Sequence, residues 1–526
     1  MKKIVLYVSS VIMAVSAITS SSAMICKAAN PMVQTIYSTD PAPMVYDGVM
    51  YCYTGRDKDN ADFYYMPDWH CYSTTDMQNW TDHGMLLSWN SFTWGKEDSA
   101  WAAQCTQRNG KFYYYVTLEN KSGGGRGIGV AVADSPTGPF KDAIGKPLAG
   151  PNWDYIDPTV FIDDDGQAWL MWGNPKCYYA KLNEDMISLD GPVQSFNMTA
   201  EAFGPTSRNT GSSYGEGPWF YKRGSLYYLI YSAFGPGNSS EDIRYSTAPS
   251  PTGPWTYRGV IMPPQPGNFT NHSGVADYKG HSYFFYHNTA LKGGGIFDRS
   301  TCVEEFTYNA DGTFNEIKCT KEGPAQLEAL DPYKKTEAET ICWSEGVKTE
   351  ACSQGGVNVS FIENGDYVMV KGVDFKEGAK SFKASTASDG SGGKIEMHLD
   401  SKDGKLIGSC EVPVTGGWQD YQTVSCAVSG AEGEHDLYFV FTGGSSYLYN
   451  IDWWQFEGET VDFTPGDINS DGKINILDFC LQISGVLGKF DSKAATLAAD
   501  VNGDGSVTAA DIILLRDYLL GINDSL

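Results

Sequence analysis

Residues Tyr214 to Ser232, YGEGPWFYKRGSLYYLIYS, decide the fold: a carboxylate, a Gly-Pro, an aromatic run, a turn at Arg223-Gly224 and a second aromatic run. Four other stretches align with it on the turn glycine. They are DPAPMVYDGVMYCYTG from Asp40, WAAQCTQRNGKFYYYVT from Trp101, DPTVFIDDDGQAWLMWG from Asp157 and HSGVADYKGHSYFFYHN from His272. The turn glycines, Gly48, Gly110, Gly166, Gly224 and Gly280, lie 62, 56, 58 and 56 residues apart, a spacing that marks a repeat architecture. Asp-Gly and Asn-Gly supply the positive φ of tight hairpin turns, and the Tyr-, Val- and Trp-rich flanks read as strands. Third strands are predicted at 69–73, 127–133, 178–182, 243–247 and 295–300, and shorter fourth strands after punctuation such as DSPTGPF and PSPTGPW. Five four-stranded sheets of this kind make a five-bladed β-propeller, in which the first strand of each blade lines the axis. The equivalent first-strand positions are Asp40, Trp101, Asp157, Glu216 and His272, so three carboxylates are expected to converge at one mouth of the channel.

Working outward, 526 residues exceed one ordinary domain, and a chain 41% hydrophobic and 13% aromatic has material for several cores. A formal charge of −26 argues against nucleic acid or an anionic membrane surface as partner and leaves neutral polymers. Residues 1–29 combine Met-Lys-Lys, an apolar run from Ile4 to Ile18 and small residues, the pattern of a secretory signal peptide, so a secreted, extracellular protein is expected. The twelve cysteines follow no framework spacing, and a pair such as Cys410 with Cys426 is open.

An Asp-Pro by itself is often a turn cap. Three acids at symmetry-equivalent positions suit acetal cleavage, which needs one protonated carboxyl for the leaving oxygen and one carboxylate to activate water. DPAPMVYDG, IDPTVFIDDDGQAWLMWG and GEGPWFYKRGSLYYLIY resemble the signatures of glycoside hydrolase family 43. That resemblance implies hydrolysis with inversion, with Asp40 as general base, Asp157 as pKa modulator and orienting residue, and Glu216 as general acid. Inversion in turn sets the Asp40 and Glu216 carboxyls about 6.5–9.5 Å apart. The resemblance further implies an axial calcium ion near His272, Trp101 stacked on sugar, and Arg299 as a substrate-site arginine near the acid. No organic cofactor is implied. The wider run from AWAAQCTQRNGKFYYYV to RSTCVEEFTYNADGTF is most similar to arabinoxylan arabinofuranohydrolases, which implies removal of α-L-arabinofuranosyl groups from arabinoxylan. A β-xylosidase, an arabinanase or a non-catalytic glycan-binding propeller remain open alternatives.

The five-fold pattern spans residues 30–332. From 333 to 457, GDYVMVKGVDF, KIEMHLD, WQDYQTVSCAV, HDLYFVF and YNIDWWQF read as strands of a β-sandwich. TEAET, IENGDYV, TGGWQDYQT and NIDWWQF resemble carbohydrate-binding module family 6, which implies Trp418, Asn450 and Tyr367 as sugar-binding residues. Tyr367 reads equally well as a core aromatic. The same resemblance implies a structural calcium ion held by Glu337, Glu339 and Asp452.

After a linker at 458–465, residues 466–526 carry DINSDGKINILD from Asp467 and DVNGDGSVTAAD from Asp500. Each is a twelve-residue calcium loop with oxygens at positions 1, 3, 5 and 12 and glycine at 6. The ligands are Asp467, Asn469, Asp471 and Asp478, then Asp500, Asn502, Asp504 and Asp511. Loop followed by helix, twice, with Asp at position 12, resembles a dockerin. That implies docking to a cohesin of a cellulosomal scaffoldin, with Ile476-Leu477 and Ala509-Ala510 at the partner-selecting positions. Leu481 and Leu514 read as either docking face or core. The fold class expected is therefore mainly β: a five-bladed propeller, a sandwich, and a small α-helical calcium-binding tail.

Overall fold

The computed structural model describes residues 29–459, 463–523 and 525–526; all but the last residue of the expected signal peptide lies outside them. The described chain is mainly β, with helices of more than four residues confined to the tail.

Five antiparallel sheets follow one another through the first 306 residues. Their opening hairpins are Ser38–Tyr46 with Val49–Arg56, Trp101–Arg108 with Lys111–Glu119, Thr159–Ile162 with Ala168–Trp172, Tyr214–Arg223 with Leu226–Ala233, and Gly274–Tyr278 with His281–Asn288. Asp47-Gly48, Asn109-Gly110 and Lys279-Gly280 hold positive φ at both central residues, the turn whose twist matches that of paired strands. First strands are neighbours in space: Ser38–Tyr46 packs on Trp101–Arg108 and on Gly274–Tyr278, and Thr159–Ile162 packs on Trp101–Arg108 and on Tyr214–Arg223. Between the sheets lie continuous apolar layers, among them Tyr53, Trp69, Tyr114 and Phe140.

The fifth sheet differs from expectation. It has three described strands, and the third is Ser300–Phe306 rather than 295–300. The run Gly293-Gly294-Gly295 has no side chains to pack and turns back on itself, Gly295 bridging only to Asp298, so the strand begins only where Ser300 meets Asn288.

Residues 336–458 form two facing sheets around Phe382, Phe439, Phe441, Trp454 and Phe456. This sandwich is hydrogen-bonded to the first sheet. Thr340–Ile341 adds a short strand to the edge of Trp80–Ser88, and the Asn79 amide donates to the Lys371 carbonyl while accepting its N–H. Cys410 and Cys426 are both free thiols and interact through their side chains.

In the tail, Ile476–Leu487 and Ala509–Leu519 follow the two loops, with Lys493–Ala499 between them. Ile468, Ala498, Val501 and Leu515 form the core; Leu514 packs against it, and Leu481 is exposed. Ile476, Leu477 and Leu487 are also exposed.

Candidate active site

The first strands do not run straight through the axial positions. Pairing registers slip between Thr39 and Ala42, between Trp101 and Ala103, and around Glu216. Asp40 and Asp157 adopt φ of 52° and 58°, a left-handed backbone that costs free energy and is commonest where function over-determines it. The fourth strand uses Gly217 instead, at φ 55°. A Cβ there would lie 2.8 Å from the His272 ring, so glycine lets the imidazole sit directly beside Glu216. At Asp40, Asp157 and Glu216 the irregularity turns a carboxyl off the sheet and toward the axis.

The four axial side chains meet. His272 Nδ1 lies 3.2 Å from Asp40 Oδ1, and its Nε2 lies 3.3 Å from Glu216 Oε1 and 3.9 Å from Asp157 Oδ2. One imidazole therefore stands between the Asp40 and Glu216 carboxylates. The Gly217 N–H donates to Asp157 Oδ2, and the Asn174 amide donates to Glu216 Oε2. Asp157 Oδ1 is buried and has no partner among the described residues.

Burial and charge push these groups apart. Burial disfavours the Asp40 anion, yet Arg299, His272 and His287 together hold its pKa below the usual carboxylate value. Burial raises Asp157 to about 7; His272 opposes the shift, and Glu216 and Asp40 add to it. Glu216 is lowered despite burial, through its hydrogen bond to His272, the imidazole charge and Asn174. His272 is raised to about 10 because three carboxylates outweigh its burial. Of the three carboxyls, Asp157 is thus the one whose proton burial favours, and Glu216 is inclined toward its anion.

Above the acids is a cavity of about 460 Å³, also lined by Tyr64, Trp101, Trp153, Phe234 and Glu241. The Trp101 indole N–H donates to the Tyr64 carbonyl, which fixes the ring on the cavity wall. Arg299 is placed otherwise than expected. It is buried, clamps Asp57 at 2.7 and 2.9 Å, and reaches Asp40 Oδ1 at 3.4 Å, so it lies at Asp40 and not at Glu216. The reason is Asp57, a buried carboxylate that needs a guanidinium partner.

Several site residues carry no repeat signal. Asp57, Asn174 and Glu241 sit in segments that differ between blades, and no spacing singles them out. Glu241 is buried, accepts the Asn271 N–H, and is raised well above the usual value by burial and by Glu216. His287 accepts the Asp40 N–H at Nδ1 and contacts the Thr270 carbonyl through Nε2; burial and Arg299 drop it to about 3, so it stays neutral.

Among the described residues, Asp157, Glu216 and His272 are the one His/Cys/Asp/Glu group whose ligand atoms all fall within 4.8 Å of one another. Beside them a cavity of about 30 Å³ is lined by Gln104 and Ser273, whose buried Oγ lacks a partner; it has room for water. The pocket is of water size, and the protonated form of His272 that its carboxylate neighbours favour opposes a cation beside it.

The sandwich residues separate. Tyr367 is corrected: it is 1% exposed, donates to Glu345 and packs on Cys342, Met369 and Tyr438, so no sugar reaches it. It lies on a strand whose neighbours are buried, which a short motif cannot reveal. Trp418 is half-buried, and the Asn450 amide beneath it donates to the Trp418 carbonyl and to Glu350. Exposed Phe361 and Tyr447, ring centroids 5.6 Å apart, were not singled out by the sequence. Glu339 is buried with an orphaned Oε2 and is raised to about 9 by burial, with Glu337, Asp82 and Asp452 adding to it, which is what a cation-binding carboxylate looks like without its cation. Glu337 is half-exposed beside Lys335, and Asp452 accepts the Cys352 thiol.

In the tail, Asp467 accepts the N–H groups of Asp471 and Gly472, and Asp478 those of Ile468 and Asn475. Asp500 and Asp511 repeat the pattern with Asp504, Gly505, Asn502 and Thr508. In both loops the carboxylates are thus held by N–H groups of their own backbone, and no three acids of either loop bring their oxygens within 4.8 Å of one another among the described residues.

Converging acids in a deep cavity on a β scaffold define a glycoside hydrolase. The chain belongs to glycosyl hydrolases family 43, whose family model matches residues 28–314. Residues 337–458 match the carbohydrate binding module (family 6), and 465–520 the dockerin type I domain. The chain is 35% identical over 487 residues to an arabinoxylan arabinofuranohydrolase of Bacillus subtilis, covering 81% of this chain and 92% of that protein. It is 34% identical to one of Paenibacillus polymyxa, covering 82% and 74%. A crystal structure of a family 43 arabinoxylan arabinofuranohydrolase from Bacillus subtilis in complex with cellotetraose superposes with a TM-score of 0.72 at 33% identity, covering 82% of this chain and 98% of that one. Among the described residues, no helix is long and apolar enough to cross a membrane.

Proposed function

We propose that this hydrolase removes α-L-arabinofuranosyl side groups from arabinoxylan by single displacement with inversion, on a closed five-bladed propeller. The observation that carries the reading is the meeting of Asp40, Asp157 and Glu216 around His272 at the floor of one cavity, in a chain aligned along most of its length with arabinoxylan arabinofuranohydrolases.

Asp40, kept ionised by Arg299 and His272, takes a proton from water as that water attacks the anomeric carbon. Glu216 donates a proton to the departing xylan oxygen. In the resting site its anion is favoured, so it must first take up a proton; Asp157, raised to about 7, is the neighbouring store and orients it through Gly217. The imidazole between the two carboxylates favours inversion over retention, because direct attack requires the pair to close to about 5 Å. Trp101 and Tyr64 offer flat faces to the sugar.

The sandwich binds xylan at Trp418 and Asn450 and concentrates the hydrolase on the polymer. The tail docks a cohesin through its exposed apolar positions Ile476 and Leu477, which makes the protein a secreted cellulosomal component. Calcium would be held by the two tail loops and by Glu337, Glu339 and Asp452, with a further ion near His272; it supplies folding free energy in the tail and sandwich. Incubation with arabinoxylan, beside Glu216→Ala, tests the activity. Arabinose from the wild type alone is the expected product; xylose moves the reading to a β-xylosidase, and no sugar from either protein to a glycan-binding propeller.

A further inference from the structure

The catalytic cavity carries two arginines that the mechanism does not use. Arg126 is half-buried, lies 5.2 Å from the Trp101 ring centroid, and donates one guanidinium N–H to the Trp153 carbonyl. Its Nε–H is buried with no acceptor among the described residues. Arg208 is exposed and stacks 3.2 Å from the Phe234 ring centroid. Both line the cavity, and neither has a carboxylate within ion-pair distance among the described residues. Glu119 stands across the strand pair from Arg126 but is taken by Lys96 at 2.8 Å. The third arginine of the cavity, Arg299, is fully engaged by Asp57 and Asp40.

The placement runs against the charge of its surroundings. In a chain of net charge −26, and over a floor holding Asp40, Asp157, Glu216 and Glu241, an anionic substituent would be repelled unless something nearer the mouth offsets the field. Arg208 lies over the Phe234 ring and Arg126 beside that of Trp101, and apart from the Arg126 bond to the Trp153 carbonyl neither guanidinium is held by an acceptor among the described residues. That geometry suits a carboxylate, with hydrogen bonds stronger than those to a neutral hydroxyl.

Resting on the arabinofuranohydrolase reading, we infer that Arg126 and Arg208 form a subsite for a carboxylate-bearing sugar. This is a uronic acid carried on the xylan backbone close to the arabinosyl group that is removed. The protein then prefers acidic, doubly decorated xylan to its neutral counterpart, although its active site is itself acidic.

The test compares arabinose release from two arabinoxylo-oligosaccharides that differ only in a uronic acid on a neighbouring xylose. For the wild type at low salt, kcat/KM is expected to be about tenfold higher on the acidic substrate. The preference should shrink in about 0.5 M salt, where the Debye length is only a few ångströms. Arg126→Gln and Arg208→Gln should each lower the ratio, and the double variant should bring it to one. Because the ratio is internal to each protein, loss of folded material cancels. A wild-type ratio of one, or a ratio unchanged in the double variant, overturns the subsite and leaves the hydrolase reading intact. Failure of both substrates to release arabinose removes the arabinofuranohydrolase reading and the subsite with it.

Discussion

Two groups of carboxylates in this chain are built in opposite ways. In the tail, Asp467, Asp471 and Asp478 sit within twelve residues and are held by N–H groups of their own loop, so the local backbone makes the site. At the axis, Asp40, Asp157 and Glu216 come from three sheets and are held by His272, Asn174 and Gly217, so the whole scaffold makes it. The first group is neutralised by backbone dipoles and offers only oxygens, the donors that the proposed calcium would take. The second has cations of its own, His272 and Arg299, which divide the protons among the acids. The difference teaches that one residue type does binding or proton chemistry according to whether neighbouring dipoles or neighbouring charges neutralise it.

The largest expected effect separates the two groups outright. Asp40→Asn should lower kcat on arabinoxylan by about 10³–10⁴-fold, while the calcium-dependent thermal transition of the tail stays unchanged. The pair Asp478→Ala with Asp511→Ala should do the reverse, abolishing that transition and sparing kcat. Calorimetry and reducing-sugar release on these two variants beside the wild type decide it, and any cross-effect larger than about threefold breaks the claim that the groups are independent.

The tail was legible because its ligand spacing is fixed by one loop, whatever surrounds it. The axis was legible for a different reason: the repeat places equivalent residues on one ring, so Asp40, Asp157, Glu216 and His272 could be picked by alignment to the turn glycines. What the repeat does not carry was lost. Asp57, Asn174 and Glu241 lie in stretches without a counterpart in other blades. Arg299 was found, but its partner Asp57 was not, so it was expected beside the wrong carboxyl. Tyr367 failed because an aromatic on a strand reads the same whether it faces a cleft or the core. The fourth strand of the last blade was expected by symmetry, which says nothing about a chain leaving for the next module.

A smaller, graded effect tests the proton division at the axis. With Asp157 near 7, kcat/KM should fall as the pH rises through about 7, since the store that supplies Glu216 is emptied. The macroscopic value belongs to the cluster and not to Asp157 alone. The sign in stability follows. Between about 4 and 7 the folded protein holds a proton on Asp157 that the unfolded chain has released, so stability falls as pH rises across that window. Asp157→Asn should erase the kcat/KM limb, flatten the stability slope by the share Asp157 contributes beside Glu241 and Glu339, and lower activity at every pH. A basic limb that survives in Asp157→Asn assigns the store elsewhere.

The smallest effect concerns the sandwich, where the comparison sharpens because one group there has neither of the two solutions. Glu339 is buried, yet its Oε2 has no hydrogen-bond partner among the described residues, and a bond to its own backbone N–H is all that offsets burial and the fields of Glu337, Asp82 and Asp452. A carboxylate so placed either stays protonated or has a metal ion as the missing partner. If calcium is that partner, the wild-type sandwich should unfold a few degrees higher in saturating calcium than in chelator, as binding to the folded state alone requires. Glu339→Gln removes the charge while keeping shape. It should unfold at nearly one temperature in both conditions, with xylan retention changed little, because Trp418 lies on another strand. A calcium shift that persists in Glu339→Gln would place the ion elsewhere and return Glu339 to the class of buried neutral acids, alongside Glu241 on the wall of the catalytic cavity.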